Sequence, residues 1–301
     1  MKELVVISGK GGTGKTSITA SFAMLARDAV VADCDVDAPD LHLILQPETI
    51  RREDFSGGKL ARIDTDRCRA CGTCAQVCRS HAIHHDGPGN RYSKSTFRVD
   101  PYACEGCGVC AWFCPEGAIN FAPAVNGEVY ISRSRRGPLV HARLGVGQGN
   151  SGKLVSAVRQ TARHYAERNG FKRIITDGSP GIGCPVIASI TGSDAVLIVT
   201  EPTMTAIHDM ERVAGLVARF RIPAMVCINK WDLNPELSHS IERDAQRLGI
   251  TLAGKVAYDD VITDAQIACK AVVEFQENGC AAQIRSLWHT LEHSLLGNGQ
   301  A

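Results

Sequence analysis

Two sets of residues in this chain have the types and spacing that chemistry requires. The first is Gly9-Lys10-Gly11-Gly12-Thr13-Gly14-Lys15-Thr16, continued by Ser17. Glycines at these positions let the backbone curl until successive N–H groups converge on one anion, and a helix starting there adds the positive end of its dipole. In the pattern G-x-x-x-x-G-K-[ST], the Lys15 ammonium reaches the β- and γ-phosphates of a nucleotide and the Thr16 hydroxyl ligates Mg²⁺. The second set is eight cysteines between positions 68 and 114, in two runs spaced C-x₂-C-x₂-C-x₃-C. Thiolates so closely set are metal ligands.

The two runs belong to a longer repeat. Ala61-Arg62-Ile63-Asp64 precedes Cys68, Cys71, Cys74 and Cys78, and Ala82-Ile83 follows; Phe97-Arg98-Val99-Asp100 precedes Cys104, Cys107, Cys110 and Cys114, and Ala118-Ile119 follows. An internal repeat in which every cysteine corresponds predicts two related metal centres. The spacing is that of bacterial ferredoxins, where three cysteines wrap one iron–sulfur cube and the fourth leads away to ligate the other. This assigns Cys68, Cys71, Cys74 and Cys114 to one [4Fe–4S] cluster, and Cys104, Cys107, Cys110 and Cys78 to a second. Structural zinc sites usually pair two C-x₂-C knuckles a dozen or more residues apart, so a third cysteine so soon after the second favours iron and sulfide. The first run ends in Cys78-Arg79 where the second has Cys114-Pro115. His81, His84 and His85 read as solvated side chains, the last two in a linker over 84–91.

Composition bounds the rest. Over 301 residues the net charge is +1, so no polyelectrolyte partner is implied and no nucleic acid is expected. No apolar stretch approaches the ~20 residues that span a bilayer, which argues against stable membrane insertion. Met1 runs straight into a strand without a signal peptide, predicting a cytoplasmic protein. Thirteen cysteines in that reducing compartment argue for metal rather than disulfides.

Alternating strands and helices must hold these residues. Leu4-Val5-Val6-Ile7 is the strand before the glycine loop, and a helix follows it. Ala29-Val30-Val31-Ala32 leads into Asp33, Asp35, Asp37 and Asp40, carboxylates at the end of a strand where such folds place catalytic groups; Asp37 and Asp40 read equally as solvated loop residues. Ile174-Ile175-Thr176-Asp177 feeds an aspartate positioned to hold Mg²⁺ through water, and Gly178–Gly183 is glycine-rich enough to move. Further strands are expected at 127–132, 139–144, 195–202, 224–229 and 253–258, with helices over 151–168 and 205–220. Lys153 reads as a first-turn surface lysine or a phosphate ligand, and the basic stretch 132–137 as a solvated turn or a docking spot for an acidic partner. Cys227 and Cys269 read as inert core thiols on a strand and a helix. Ile284, Leu287, Trp288, Leu291 and Leu295 share one face of a last helix. The pattern predicts an α/β fold, a doubly wound mainly parallel sheet, interrupted by an α+β ferredoxin-like insertion. The boundaries are 1–56 and 126–301 for the nucleotide-binding domain and 57–125 for the insert.

Lys10, a second lysine at the start of the loop, completes the signature K-G-G-x-G-K-[ST]. With it the chain resembles the MinD/ParA/nitrogenase-iron-protein superfamily of P-loop ATPases, in the form that contains an inserted ferredoxin domain. The resemblance implies that Lys10 reaches the nucleotide of a partner subunit, so that hydrolysis needs a homodimer facing across two ATPs. It implies that Asp35 orients the attacking water, that Gly178–Gly183 is switch II, and that Asn229, in Asn229-Lys230-Trp231-Asp232, contacts adenine although N-K-x-D also suits guanine. Cys184, at a helix start after Asp177, corresponds to a cluster-ligating cysteine of the nitrogenase iron protein or is a packed thiol. ATP, Mg²⁺ and two [4Fe–4S] clusters are the implied cofactors. Three functions follow from it: ATP-gated electron transfer to a redox partner, iron–sulfur or metal-cofactor assembly with a client protein, or a positioning switch with structural clusters.

Overall fold

The computed structural model describes residues 1–145 and 149–297. The strands, in chain order, are β1 (Lys2–Ser8), β2 (Ala29–Asp33), β3 (Glu48–Phe55), β4 (Gly58–Ile63), β5 (Ile83–Gly87), β6 (Thr96–Val99), β7 (Ile119–Ala124), β8 (Gly127–Arg133), β9 (Pro138–Leu144), β10 (Arg173–Pro180), β11 (Ala195–Thr200), β12 (Ala224–Asn229) and β13 (Thr251–Val256). They divide between two compact units. One comprises 1–53, 129–143 and 151 onward; the other comprises Asp54–Glu128 with 144–150. The second unit therefore begins three residues before, and ends three residues after, the insert expected over 57–125.

In the first unit, nine strands form one sheet in the order β13-β12-β11-β1-β10-β2-β9-β8-β3. The pairs from β13 through to β9 are parallel. Strands buried on both faces are apolar throughout, and their side chains alternate between two cores. Leu4 and Val6 of β1 enter a core with Phe22, Leu41 and Trp288. Val5 and Ile7 point the other way, to Val186, Met210 and Ile241. Helices thus cover both faces, as the doubly wound pattern requires. Ile284, Leu287, Trp288 and Leu291 are buried, so the last helix docks on its own sheet.

One buried polar cluster has no counterpart in the sequence pattern. Glu3, at 2% exposure, accepts two hydrogen bonds from Arg159 (2.8 and 2.7 Å), two from Arg163 (3.1 and 2.6 Å), and one of 3.0 Å from Thr176. A buried carboxylate is tolerated here because every lone-pair direction has a donor. It fastens the helix Ser151–Asn169 to the sheet.

Strand β3 was not foreseen. All its residues from Glu48 to Asp54 are exposed, so it lacks the alternation that marks a half-buried strand. Its charges guard the sheet edge. Cys269 lies beyond the helix Val261–Ile267, at φ 54°, rather than within it. The stretch 132–137 is neither a free docking spot nor a fully solvated turn. Its Arg135 donates to the carbonyls of Ile44, Leu45 and Cys269 and pairs with Glu274 at 3.0 Å, capping the helix Leu41–Leu45.

The second unit repeats itself about its own middle. β4 pairs antiparallel with β7, and β5 with β6, so the strand entering each cysteine run pairs with the strand leaving the other. Matching contacts occur in both halves. Asp64 N–H donates to Ala118 O and Asp100 N–H to Ala82 O, each at 2.7 Å. Cys68 N–H meets Asp64 O at 3.0 Å, and Cys104 N–H meets Asp100 O at 3.1 Å. His84 lies in β5, paired with Arg98, rather than in a loop. Among the described residues, no helix is long and apolar enough to cross a membrane.

Candidate functional site

The glycine loop leaves the end of β1 and opens into the helix Lys15–Leu25. Gly12 and Gly14 sit at φ 81° and 86°, the left-handed region that only glycine enters without strain. A Cβ on Gly14 would also overlap the Asn229 amide. Register explains the acids beside the loop: Asp177 of β10 is the partner of Val6 in β1 and of Asp33 in β2. Val6, Asp177 and Asp33 thus lie level on three adjacent strands; β10 runs on to Pro180, opposite Ser8, so the loop expected over 178–183 begins within the strand.

Lys15, Thr16 and Asp177 form a buried knot. The Lys15 Nζ is 2.8 Å from Asp177 Oδ1 and 3.7 Å from Asp35 Oδ2. The hydroxyls of Thr16 and Thr19 donate to Asp177 at 2.8 and 2.9 Å. Burial alone would push the Lys15 ammonium down, but Asp177 and Asp35 hold its pKa above the ordinary lysine value. Asp33 is at 1% exposure, and burial, reinforced by Asp177, raises its carboxyl well above the usual range. Asp35 is raised too, by burial first and Asp177 next, against the pull of Lys15. A cavity of about 560 Å³ lies over this knot, with Gly11–Ser17 on one wall and Asp35, Asp37, Asp40 and Pro180 on another. Asp37 and Asp40 thus border the cavity.

A neighbouring cavity of about 240 Å³ is lined by Gly14, Ser17, Asn229, Tyr258 and Gln266. Asn229 Nδ2 donates to Thr13 O at 2.8 Å. Its Oδ1 and the Thr13 hydroxyl are buried without a hydrogen-bond partner among the described residues. Such groups want a ligand, since an unmet buried polar atom costs about 1–3 kcal/mol. Lys230 donates to Gly12 O at 3.0 Å, and Asp232 accepts from Tyr258 N–H at 2.7 Å.

Lys10 turns away from the cavity to Glu201, at 2.8 Å, and to Thr203 at 3.2 Å. The same carboxylate takes Lys230 at 2.9 Å. Burial would raise Glu201, but the two lysines hold it below the ordinary carboxylate range. Lys153 is exposed on the first turn of its helix, and Cys184 is exposed rather than packed. Cys227 is fully buried, which pushes its thiol up to about 12.

In the second unit, Cys68, Cys71, Cys74 and Cys114 line one pocket, closed by Ile63 and Phe97. The cysteines that act electrostatically on Cys110 are Cys104, Cys107 and Cys78. The fourth cysteine of each run therefore sits with the other run's first three. Burial pushes the Cys74 thiol up to about 11, whereas the Thr73 hydroxyl and N–H bring Cys71 below its usual value. Cys78 accepts from Ala82 N–H and Cys114 from Ala118 N–H, both at 3.3 Å. Among the described residues, no three Cys, His, Asp or Glu side chains converge closely enough to share one metal ion.

Thr19 and Glu201 escaped the sequence analysis, whereas Thr13 lies within the expected loop. Thr19 carried a usable signal, since it lies one helical turn after Lys15 and faces the same way. Glu201 carried none.

Residues 4–268 match the model of the CobQ/CobB/MinD/ParA nucleotide binding domain. Uncharacterized protein MJ0578 of Methanocaldococcus jannaschii is 33% identical over 251 residues, 80% of this chain and 84% of its own. The cell division protein MinD of Aquifex aeolicus has a similar fold, with TM-score 0.57 at 17% identity over 100% of both chains. So does the septum site-determining protein MinD of Pyrococcus horikoshii, solved with Mg-ADP, with TM-score 0.55 at 14% identity over 100% of this chain and 98% of that one. With its loop, its buried lysine–aspartate knot and a family match over most of its length, the chain belongs to the CobQ/CobB/MinD/ParA family of nucleotide-binding domains.

Proposed function

We propose that this chain is a dimeric Mg-ATP-hydrolysing switch that carries two [4Fe–4S] clusters and gates electron transfer to a partner protein. The observation that carries the iron–sulfur part is the exchange of fourth cysteines between the two runs. In a cube each thiolate binds its own iron, so four thiols lining one pocket without converging on a point fit a cube better than a single zinc ion. Cys68, Cys71, Cys74 and Cys114 would hold one cluster, and Cys104, Cys107, Cys110 and Cys78 the other; when bound, the clusters supply one-electron storage.

At the nucleotide site, the Lys15 ammonium, already charged and buried, neutralises the β- and γ-phosphates. Thr16 and Asp177 are the residues that would hold Mg²⁺, which spreads the charge of the transferring phosphoryl group. Asp35, on the cavity wall 3.7 Å from Lys15, orients the attacking water. Lys10 acts across the dimer once it leaves Glu201. The internal bonds of Lys230 and Asp232 support ATP over GTP, because neither side chain is free to read guanine. The exposed Cys184 favours a second reading, cofactor assembly with a labile cluster at that thiol.

The test is anaerobic EPR of dithionite-reduced protein with and without Mg-ATP, alongside phosphate release. Cubane signals that change on adding Mg-ATP are expected. Two signals indifferent to nucleotide would sink gating, and zinc or no metal at the eight thiols would sink the clusters. Iron lost to chelators from the wild type but not from Cys184→Ala would favour assembly.

A further inference from the structure

The second cysteine run is dressed in aromatic side chains that face water. Trp112 is 86% exposed, Tyr102 71% and Phe113 55%, with Val109 beside them in the chain at 38%. The duplication provides an internal reference. At the corresponding positions the first run has Gln76, Asp66, Val77 and Thr73. Both runs carry the same short helix, Thr73–Gln76 and Val109–Trp112, so the fold itself asks for no tryptophan there. A large apolar side chain left in water forgoes the gain of burial, and exposed apolar side chains of this size mark contact with another protein.

Charge separates the two runs in the same sense. No Lys or Arg occurs between Asp100 and Asn120, whereas the first run is interleaved with Arg67, Arg69 and Arg79. Glu105 is exposed and has no ion pair among the described residues. Glu116 meets Arg69 of the first run at 3.1 Å. Arg67 of the first run also donates to Glu116 O at 3.0 Å, so the carboxylate of this run left without a cation among the described residues is Glu105. The second run thus exposes four large apolar side chains and one carboxylate, Glu105, without an ion pair among the described residues.

We propose that Tyr102, Val109, Trp112 and Phe113 dock a redox protein whose own apolar spot is ringed by Lys and Arg. Complementary charge steers such an encounter and sets its register, while the tryptophan supplies the anchor. Naming the occupant a redox protein rests on the iron–sulfur reading above. Cys107 is itself exposed, so a protein seated on this stretch lies against the ligands of that run.

The test titrates the reconstituted full chain with zinc-substituted c-type cytochrome, a basic and redox-inert probe, by calorimetry. The exchange Trp112→Gln with Phe113→Val gives the second run the first run's residues. Binding is expected to weaken about tenfold or more, and Glu105→Lys is expected to weaken it and flatten its salt dependence. Gln76→Ala leaves it unchanged. About eight irons per chain in the wild type and the exchanged chain separate the two claims. Unchanged affinity with iron retained overturns the docking face and leaves the cluster reading standing. A wild type without iron overturns that reading, and the redox partner with it. If the exchanged chain loses iron, the salt dependence of Glu105→Lys decides alone. Self-association of the wild type that the exchange abolishes assigns the face to a second copy and overturns the proposal.

Discussion

The two units reach their sites by opposite routes. In the nucleotide unit, a broad sheet with a core on each face sets β1, β10 and β2 side by side, and Lys15, Thr16 and Thr19 are all bonded to Asp177. In the cysteine unit, the central cluster among the described residues has five buried members, Ala61, Cys74, Ile83, Cys110 and Ile119, with partly buried side chains such as Ile63, Phe97 and Phe121 against them. Two of those five side chains are proposed ligands. The first unit is held by its own core; the second has so little fully buried apolar substance that the clusters proposed for it would be part of what holds it together.

That contrast is open to attack, most strongly through metal removal. Stripping iron with oxidant and chelator is expected to expose 54–128 to protease while the nucleotide unit stays resistant; limited proteolysis followed by mass spectrometry reads both. Equal resistance of the stripped segment would erase the distinction.

Next in size is Lys15→Ala, expected to lower ATP hydrolysis by about 10³-fold. It would also destabilise the nucleotide unit by about 3–5 kcal/mol, since it leaves Asp177 and Asp33 buried without a counter-charge. Denaturant melts and phosphate-release assays measure the two effects. Asp35→Asn is milder, with hydrolysis down about 10²-fold and ATP affinity within a few fold.

Acid sharpens the comparison further. His141 is pushed down to about 4 by burial and by His42. Its folded pKa lies below its unfolded value near 6.5, so the unfolded chain binds the extra proton first. Stability of the nucleotide unit therefore falls as pH drops from about 6.5 to about 4, by up to roughly 3 kcal/mol. His141→Phe should flatten the pH dependence of its melting temperature across that window. The smallest effect is a gain. Because Asp33 is raised in the fold, its contribution is complete below about pH 3.8 and is lost as pH rises through the folded value. Asp33→Asn should then raise the melting point at pH 8 by a few degrees and change it less at pH 4.

What the sequence disclosed was local. The glycine loop, the paired cysteine runs and the apolar strands each fit within a short window, where spacing translates directly into geometry. Glu3 with Arg159 and Arg163, Arg135 on the helix Leu41–Leu45, and Glu201 between Lys10 and Lys230 are joined across about a hundred residues or more, apart from the last pair. Nothing near any of them in the chain announces its partner. Strand β3 failed to show because a charged sheet edge has no alternation to read. Trp112 failed because periodicity locates apolar residues that are buried, and this one is not.

The interchange of the fourth cysteines has a bearing on descent. Cut the second unit anywhere between β5 and β6, and each fragment keeps three cysteines of one group while the fourth of that group goes with the other piece. If each group holds a cluster as proposed, neither half could bind one alone, and the two copies of the repeat would have to be inherited as a couple, however far their surfaces drifted apart.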